Sequence, residues 1–352
     1  MLARVGVGRV AILLCVTTVA ALTFEDVVSE AHSCIENNKV LQRKDGINIV
    51  YDHTRPWSIH DTTYVTSQPL CESSEELAAS LAFGSRVWKS SGTEMRKHPE
   101  LLQSSFVPLR CGFKWFSPHE ACDVLSSFSK VHFLGDSLTR HLVQSINIVL
   151  SGNLKYGALP LGKSSDIYDK CYCDGQFSEA VVCRQGLTTF DDNRAAGLCS
   201  NVRKPFALLY GDEFGDENII SESDSRPVFF FLSAGMHLNM NAKRTAREFL
   251  IPNVKKIRAA AAPGVSVLVS WGSLGAQARP LDSKYPSQSR ENSASFNQRM
   301  AEFAESHDLD AVFDWWNLTK DAQTSDGLHL LTDVNMLKAQ YIINWLSLAV
   351  QE

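Results

Sequence analysis

Five short apolar, β-rich runs, set apart by stretches of helical period, constrain the fold of this chain more than any other feature. The runs are Val131 to Leu134, Phe206 to Tyr210, Val228 to Leu232, Val265 to Ser270 and Ala311 to Trp315. Each has the length of a strand and is apolar enough to be buried on both faces, as the strands of a parallel sheet are. Between and after them, Leu138, Leu142, Ile146 and Val149 share one helical face, as do Phe296, Met300 and Phe303. The last stretch repeats the pattern at Val334, Leu337, Tyr341, Trp345 and Leu348. Strand and helix in alternation predict an α/β protein, with a three-layer α/β/α sheet and right-handed crossovers. Such sheets bind ligands beyond the carboxyl ends of their strands, so function is to be sought in the residues that follow each run.

This pattern begins near residue 130, and the chain ahead of it reads differently. Residues 1–22 carry Arg4 and Arg9, then an apolar run from Val10 to Leu22 with small residues at Thr18 and Ala20, the organisation of a signal peptide. The run is shorter than the roughly 20 residues that span a bilayer, so a retained signal anchor is the lesser alternative. Residues 23–129 read as a cysteine-containing extension, with Trp57, Trp88 and Trp115, packed on a core of residues 130–352. Cys15 falls in the signal. The other cysteines are Cys34, Cys71, Cys111, Cys122, Cys171, Cys173, Cys183 and Cys199. An even number behind a signal peptide points to as many as four disulfides in an oxidising compartment, with the pairing open, and so to a secreted or secretory-lumen protein. The C-x-C of Cys171 and Cys173 lacks the nearby histidine a zinc site would use, and no metal is expected. Asn317-Leu318-Thr319 is a glycosylation sequon, in keeping with the same route.

With 44% hydrophobic and 21% charged residues, the chain has the composition of a packed globule. Its net charge of −5 becomes two units more negative without Arg4 and Arg9, and no basic block occurs. Nucleic acid is therefore not an expected partner, nor a membrane unless the N-terminal segment is kept as an anchor. No phosphate loop or dinucleotide fingerprint is present, and no cofactor is expected.

Chemistry-bearing residues gather at two places on the expected active edge. Directly after the first run comes Gly135-Asp136-Ser137-Leu138-Thr139-Arg140, where strand pattern gives way to helix pattern at Ser137. That switch sets a serine hydroxyl at the sheet edge and its N–H in a helix's first turn, where free amides and the dipole suit a developing oxyanion. The bland alternative is an Asp-Ser helix cap. After the last run comes Ser325-Asp326-Gly327-Leu328-His329-Leu330. A carboxylate three residues before an imidazole reaches its Nδ1–H and orients Nε2 towards a serine. Trp315 and Trp316 end the last run close by, with core packing the expected role ahead of stacking on a sugar. The G-x-S-x-G elbow of α/β-hydrolases is absent.

On these two motifs the chain resembles the SGNH/GDSL hydrolase superfamily. More narrowly, Gly-Asp-Ser-x-x-Arg ending at Arg140, together with Asp326-Gly327-Leu328-His329-Leu330, looks like its PC-esterase branch, which includes the trichome-birefringence-like polysaccharide acetyltransferases. The resemblance spans roughly residues 105–350 and is specific at its two ends. It implies a flavodoxin-like sheet and acyl transfer to or from glycan hydroxyls, with Ser137 as nucleophile, His329 as general base and Asp326 as its orienter. Oxyanion donors in that family are commonly a glycine and an asparagine. In Ser233-Ala234-Gly235-Met236-His237-Leu238-Asn239, Gly235 and either His237 or Asn239 are the candidates. Arg140 either anchors Asp136, faces substrate or forms a surface salt bridge. The expected partner is an acylated glycan or another ester; a lipid-directed GDSL lipase and a catalytically silent glycan-binding protein are the alternatives.

Overall fold

A computed structural model describes residues 39–44, 47–52, 70–82, 85–86, 106–107 and most of 111–351, with the longest interruptions at 160–166, 185–197, 216–223 and 277–285. The expected signal peptide and Trp57, Trp88 and Trp115 lie outside these residues. Five parallel strands form the central sheet: β1 (Lys130–Gly135), β2 (Ala207–Gly211), β3 (Val228–Ser233), β4 (Val267–Gly272) and β5 (Ala311–Phe313). Their order is β2-β1-β3-β4-β5, the flavodoxin-like doubly wound arrangement. The expected fold class is therefore the observed one. β1 and β3, near the middle, are almost wholly buried, and their period of two divides them between two cores. Val131, Phe133, Phe229 and Phe231 join one cluster, whereas Leu134, Val228, Phe230 and Leu232 join the other.

Helices cover both faces. On the first lie α1 (Ser74–Ala82), α2 (Pro118–Ser126), α3 (Ser137–Ser151) and α7 (Thr332–Ala349). On the second lie α4 (Ile251–Ala259) and α5 (Arg290–Glu305). The short α6 (Trp315–Thr319) follows β5. Local sequence dictates the boundaries. α2 opens with a capping box: Ser117 Oγ accepts from Glu120 N, Glu120 Oε2 accepts from Ser117 N at 2.9 Å, and Pro118 fills the first turn. α3 closes at Gly152, which takes the left-handed conformation at φ 61°. A π-type turn over Ala246–Leu250 precedes α4 just ahead of Pro252, whose missing N–H breaks the helical ladder there.

Two details depart from the sequence pattern. Trp315 does not end a strand: β5 stops at Phe313, Asp314 Oδ1 accepts from Asn317 N, and the chain turns into α6. Trp315 then stacks on Phe313 at 5.2 Å between ring centroids and is a core side chain. The helical stripe Leu138, Leu142, Ile146 and Val149 understates α3, which is buried on every side from Leu138 to Leu150.

Residues ahead of the sheet are pinned to α7. Ser80 Oγ lies 3.1 Å from Tyr341 Oη, Lys114 N donates to Asn344 Oδ1 and Phe116 N donates to Gln340 Oε1. Disulfides join Cys71 to Cys111, Cys122 to Cys199 and Cys171 to Cys183. The second fastens α2 to the chain entering β2. Three disulfides fit an oxidising compartment. The side chains of Cys34 and Cys173 lie outside the described residues. Among the described residues no helix is long and apolar enough to cross a membrane.

Candidate active site

The carboxyl ends of β1 and β3 meet in a very tight junction. Gly135 ends β1 at φ 153°, and a Cβ there would lie 1.8 Å from Ser233 O. No other residue fits that conformation and approach together. The chain then turns at Asp136, which caps α3 by accepting from Leu138 N at 3.1 Å. Its second oxygen accepts from Met236 N at 3.3 Å, across the gap to the segment after β3. Thr139 Oγ1 spans the same gap, donating to Ser233 O at 2.9 Å. Tyr210 Oη, from β2, donates to Gly135 O and Asp136 O. The Gly135–Ser137 turn is thus tied to β2 and β3 by side-chain hydrogen bonds.

Ser137 is the first residue of α3, and its Oγ lies 2.8 Å from His329 Nε2. His329 Nδ1 lies 2.7 Å from Asp326 Oδ2. Asp326 Oδ1 accepts the backbone N–H groups of Leu328 and His329 at 2.9 and 2.8 Å, so the carboxylate folds its own loop into one turn. A Thr324–Leu330 bridge closes that turn behind it. With Asp326 accepting from Nδ1–H, Nε2 is left as the acceptor facing the serine, the tautomer a general base needs. The His329 side chain is 7% exposed and that of Asp326 48%. Partial burial pushes the Asp326 carboxyl up, but the hydrogen bonds from the His329 side chain and backbone, the imidazole's charge and the Leu328 N–H outweigh it. They hold the carboxyl well below the usual carboxylate range. Asp136 is the opposite case. Burial dominates and raises its carboxyl, against the pull of the Leu138 and Met236 N–H groups, His237 and His329.

The structure brings Ser137, His329 and Asp326 into one hydrogen-bonded row and sorts the remaining candidates. Gly235 follows β3 at φ 148°, with the ring of Phe296 where a Cβ would be, 2.4 Å from Cζ. His237 and Asn239 lie on the next turn with exposed side chains, Asn239 in the left-handed conformation at φ 55°. Of these two, His237 acts on Asp136 electrostatically. Arg140 is not a surface residue: it is 6% exposed, and its Nη2 donates to His141 Nε2 at 3.3 Å. Burial follows from its position on a helix that has no solvent side. Trp316 is half-buried, with the Arg290 guanidinium over its ring.

Sequence reasoning missed His141, Tyr210 and Lys338. The His141 ring packs 4.8 Å from that of His329 and 5.4 Å from Phe177. Its position one turn after Ser137 was a readable signal. Lys338 was readable too, as a lysine inside the apolar stripe of α7. Tyr210 left no signal, because only the β1–β2 pairing brings it near.

Fold and site together define a doubly wound α/β protein with a serine–histidine–aspartate row at the carboxyl edge of its sheet. No family model matches the chain, and no curated protein does. Among solved structures, a carbohydrate acetylesterase from Sinorhizobium meliloti aligns at a TM-score of 0.32 with 14% identity, over 63% of this chain and 99% of that one. A likeness of that size carries no weight for function, which rests on the site itself.

Proposed function

We propose that the protein is a serine-dependent ester hydrolase or acyltransferase acting on acyl groups carried by glycan hydroxyls, in the secretory pathway or outside the cell. The observation that carries this reading is the row Ser137 Oγ, His329 Nε2, His329 Nδ1, Asp326 Oδ2, with contacts of 2.8 and 2.7 Å. A serine in that row is activated as it attacks. His329 Nε2 takes the Oγ proton while the Oγ–carbon bond forms, and Asp326 stabilises the imidazolium. The carbonyl electrons move onto oxygen, for which the N–H groups of Ser137 and Gly235 are the candidate donors. On collapse the alkoxide leaves with the proton from His329, and the acyl group stays on Ser137. Water, activated by the same imidazole, then releases the acid and restores the serine; a glycan hydroxyl in its place makes the reaction a transfer.

The glycan part rests on the resemblance of Gly-Asp-Ser-x-x-Arg and Asp-Gly-Leu-His-Leu to the PC-esterase branch, and the compartment on the N-terminal sequence and the disulfides. The test is an activity screen of purified protein on acetylated xylan, acetylated sialosides and p-nitrophenyl esters, beside Ser137→Ala. Turnover on an acetylated glycan that disappears in the folded variant is the expected result. Equal turnover in both would overturn the mechanism, and turnover on p-nitrophenyl esters alone would remove the glycan assignment.

A further inference from the structure

Ser137 and His329 are carried very differently. Ser137 begins α3, a helix buried from Leu138 to Leu150. His329 comes from a loop whose carboxylate, Asp326, has a half-exposed side chain. The two contacts of the row, at Nδ1 and Nε2, both lie at the edge of the imidazole. A ring held only there can still tilt about the line joining them, so its alignment also needs a neighbour packed against the ring itself.

His141 is that neighbour. It stands four residues after Ser137 on α3, so helix geometry brings the two side chains to one face. Its ring is 1% exposed and lies 4.8 Å from that of His329 between centroids, tilted by 44°, near the short end of the range over which aromatic rings pack. His141 is fixed in turn. Phe177 packs on it at 5.4 Å, and the Arg140 guanidinium, which can only donate, places Nη2 3.3 Å from its Nε2. Nε2 therefore accepts, and in that contact His141 is the neutral ring. A neutral ring suits the place, because His329 becomes an imidazolium on taking a proton from Ser137 and a second cation against it would oppose that step. Phe177 belongs to a 3₁₀ turn, Cys173–Phe177, fastened to α3 where Gln144 Nε2 donates to Gln176 O at 2.6 Å.

We propose that His141 is a positioning residue for the base: its buried ring backs the His329 imidazole and holds Nε2 in line with Ser137 Oγ, so the helix that supplies the serine also orients the histidine. The effect on turnover rests on the function proposed above; the effect on the hydrogen bond between His329 and Asp326 does not.

The experiment compares wild type with His141→Ala, His141→Phe and His141→Gln at neutral pH. It measures kcat and KM on the best ester found, and follows by NMR the proton between His329 Nδ1 and Asp326 Oδ2, identified by its absence from His329→Ala. Phenylalanine keeps a ring without an acceptor for Arg140, whereas glutamine keeps an acceptor without a ring. His141→Ala is expected to lower kcat about tenfold with KM changed less than about threefold, and to speed solvent exchange of that proton about tenfold. His141→Phe should recover most of both losses and His141→Gln neither. Rescue by glutamine equal to or better than that by phenylalanine would overturn the proposal, as would wild-type kcat and exchange in folded His141→Ala. If His141→Ala does not fold, phenylalanine against glutamine decides, and equal losses in the two refute the role of the ring. If wild type turns over no ester, the proposed function fails and proton exchange alone judges the contact.

Discussion

His132 offers the sharpest quantitative test of how this fold responds to acid. It lies in β1, 2% exposed, with its ring 5.6 Å from that of Phe230 and no hydrogen-bond partner for its Nδ1 among the described residues. Burial, helped by the charge of Lys130, depresses its pKa from 6.5 to about 3. Between those values the unfolded chain binds a proton that the native protein refuses, so stability is lost as pH falls from 6.5 towards 3 and is level below that. At 1.36 kcal/mol per unit the whole loss approaches ~5 kcal/mol, with ~2 kcal/mol of it already gone at pH 5. That is a sizeable part of a typical domain's total of ~5–15 kcal/mol. His132→Leu, close in volume and unable to titrate, should remove this component and leave every other titrating group in place. Urea unfolding of both proteins at pH 8 and pH 5 measures it: wild type should lose ~2 kcal/mol more than the variant over that interval. Parallel losses would refute the reasoning. The comparison also serves the test of the proposed mechanism. A histidine base predicts that kcat/KM falls in acid by one proton, and only a protein that stays folded there reports that limb cleanly.

Further outcomes follow from the site and its supports. His329→Ala should remove turnover by several orders of magnitude with the far-UV spectrum unchanged, because the members of such a row act as a unit; Asp326→Asn should be damaging but less complete. Single-turnover rates check both, and a near-normal rate in either folded variant would remove that residue from the mechanism. Gly235→Ala should lower Tm, since its Cβ would meet the Phe296 ring at a φ of 148°. Combining it with Phe296→Leu should recover part of the loss, and no recovery would place the strain in the backbone alone. Thiol labelling of the denatured, unreduced mature protein should find no free cysteine, whereas two labelled per chain would leave Cys34 and Cys173 unpaired.

Much of this architecture was legible because apolar period and turn chemistry are local. β1 and β3 read directly as runs of residues buried on both faces, and the change of period at Ser137 marked the strand-to-helix turn. Asp326 and His329 were readable because three residues of spacing is a property of one loop. What sequence hid was determined across the sheet. The place of Arg140, left open between Asp136, substrate and a surface salt bridge, could not be read because its own helix does not reveal that other elements surround it completely. Trp315 looked like strand because an apolar run carries no mark of where the ladder stops; Asp314 capping α6 supplied that mark only in three dimensions. Of the oxyanion candidates, Gly235 carries a backbone conformation that only glycine takes readily, which no residue count could have shown. The exposed side chains of His237 and Asn239 follow from a turn whose direction the sequence did not specify.

The hydrogen bond between Ser137 and His329 joins residues 192 apart in the chain. Contacts of such separation are entropically late, because the intervening loop must be closed before they yield anything. Synthesis runs from the N-terminus, so the serine, its cap and the first strand of the sheet emerge long before the imidazole. Throughout that interval the nascent chain holds an unactivated hydroxyl. Chemical competence therefore arrives with the last part of the fold, when the loop ending in Leu330 closes and α7 packs against α3. A chain interrupted anywhere before residue 326 would carry Ser137 without Asp326 or His329, so under the proposed mechanism the order of the motifs along the polypeptide confines activity to finished molecules.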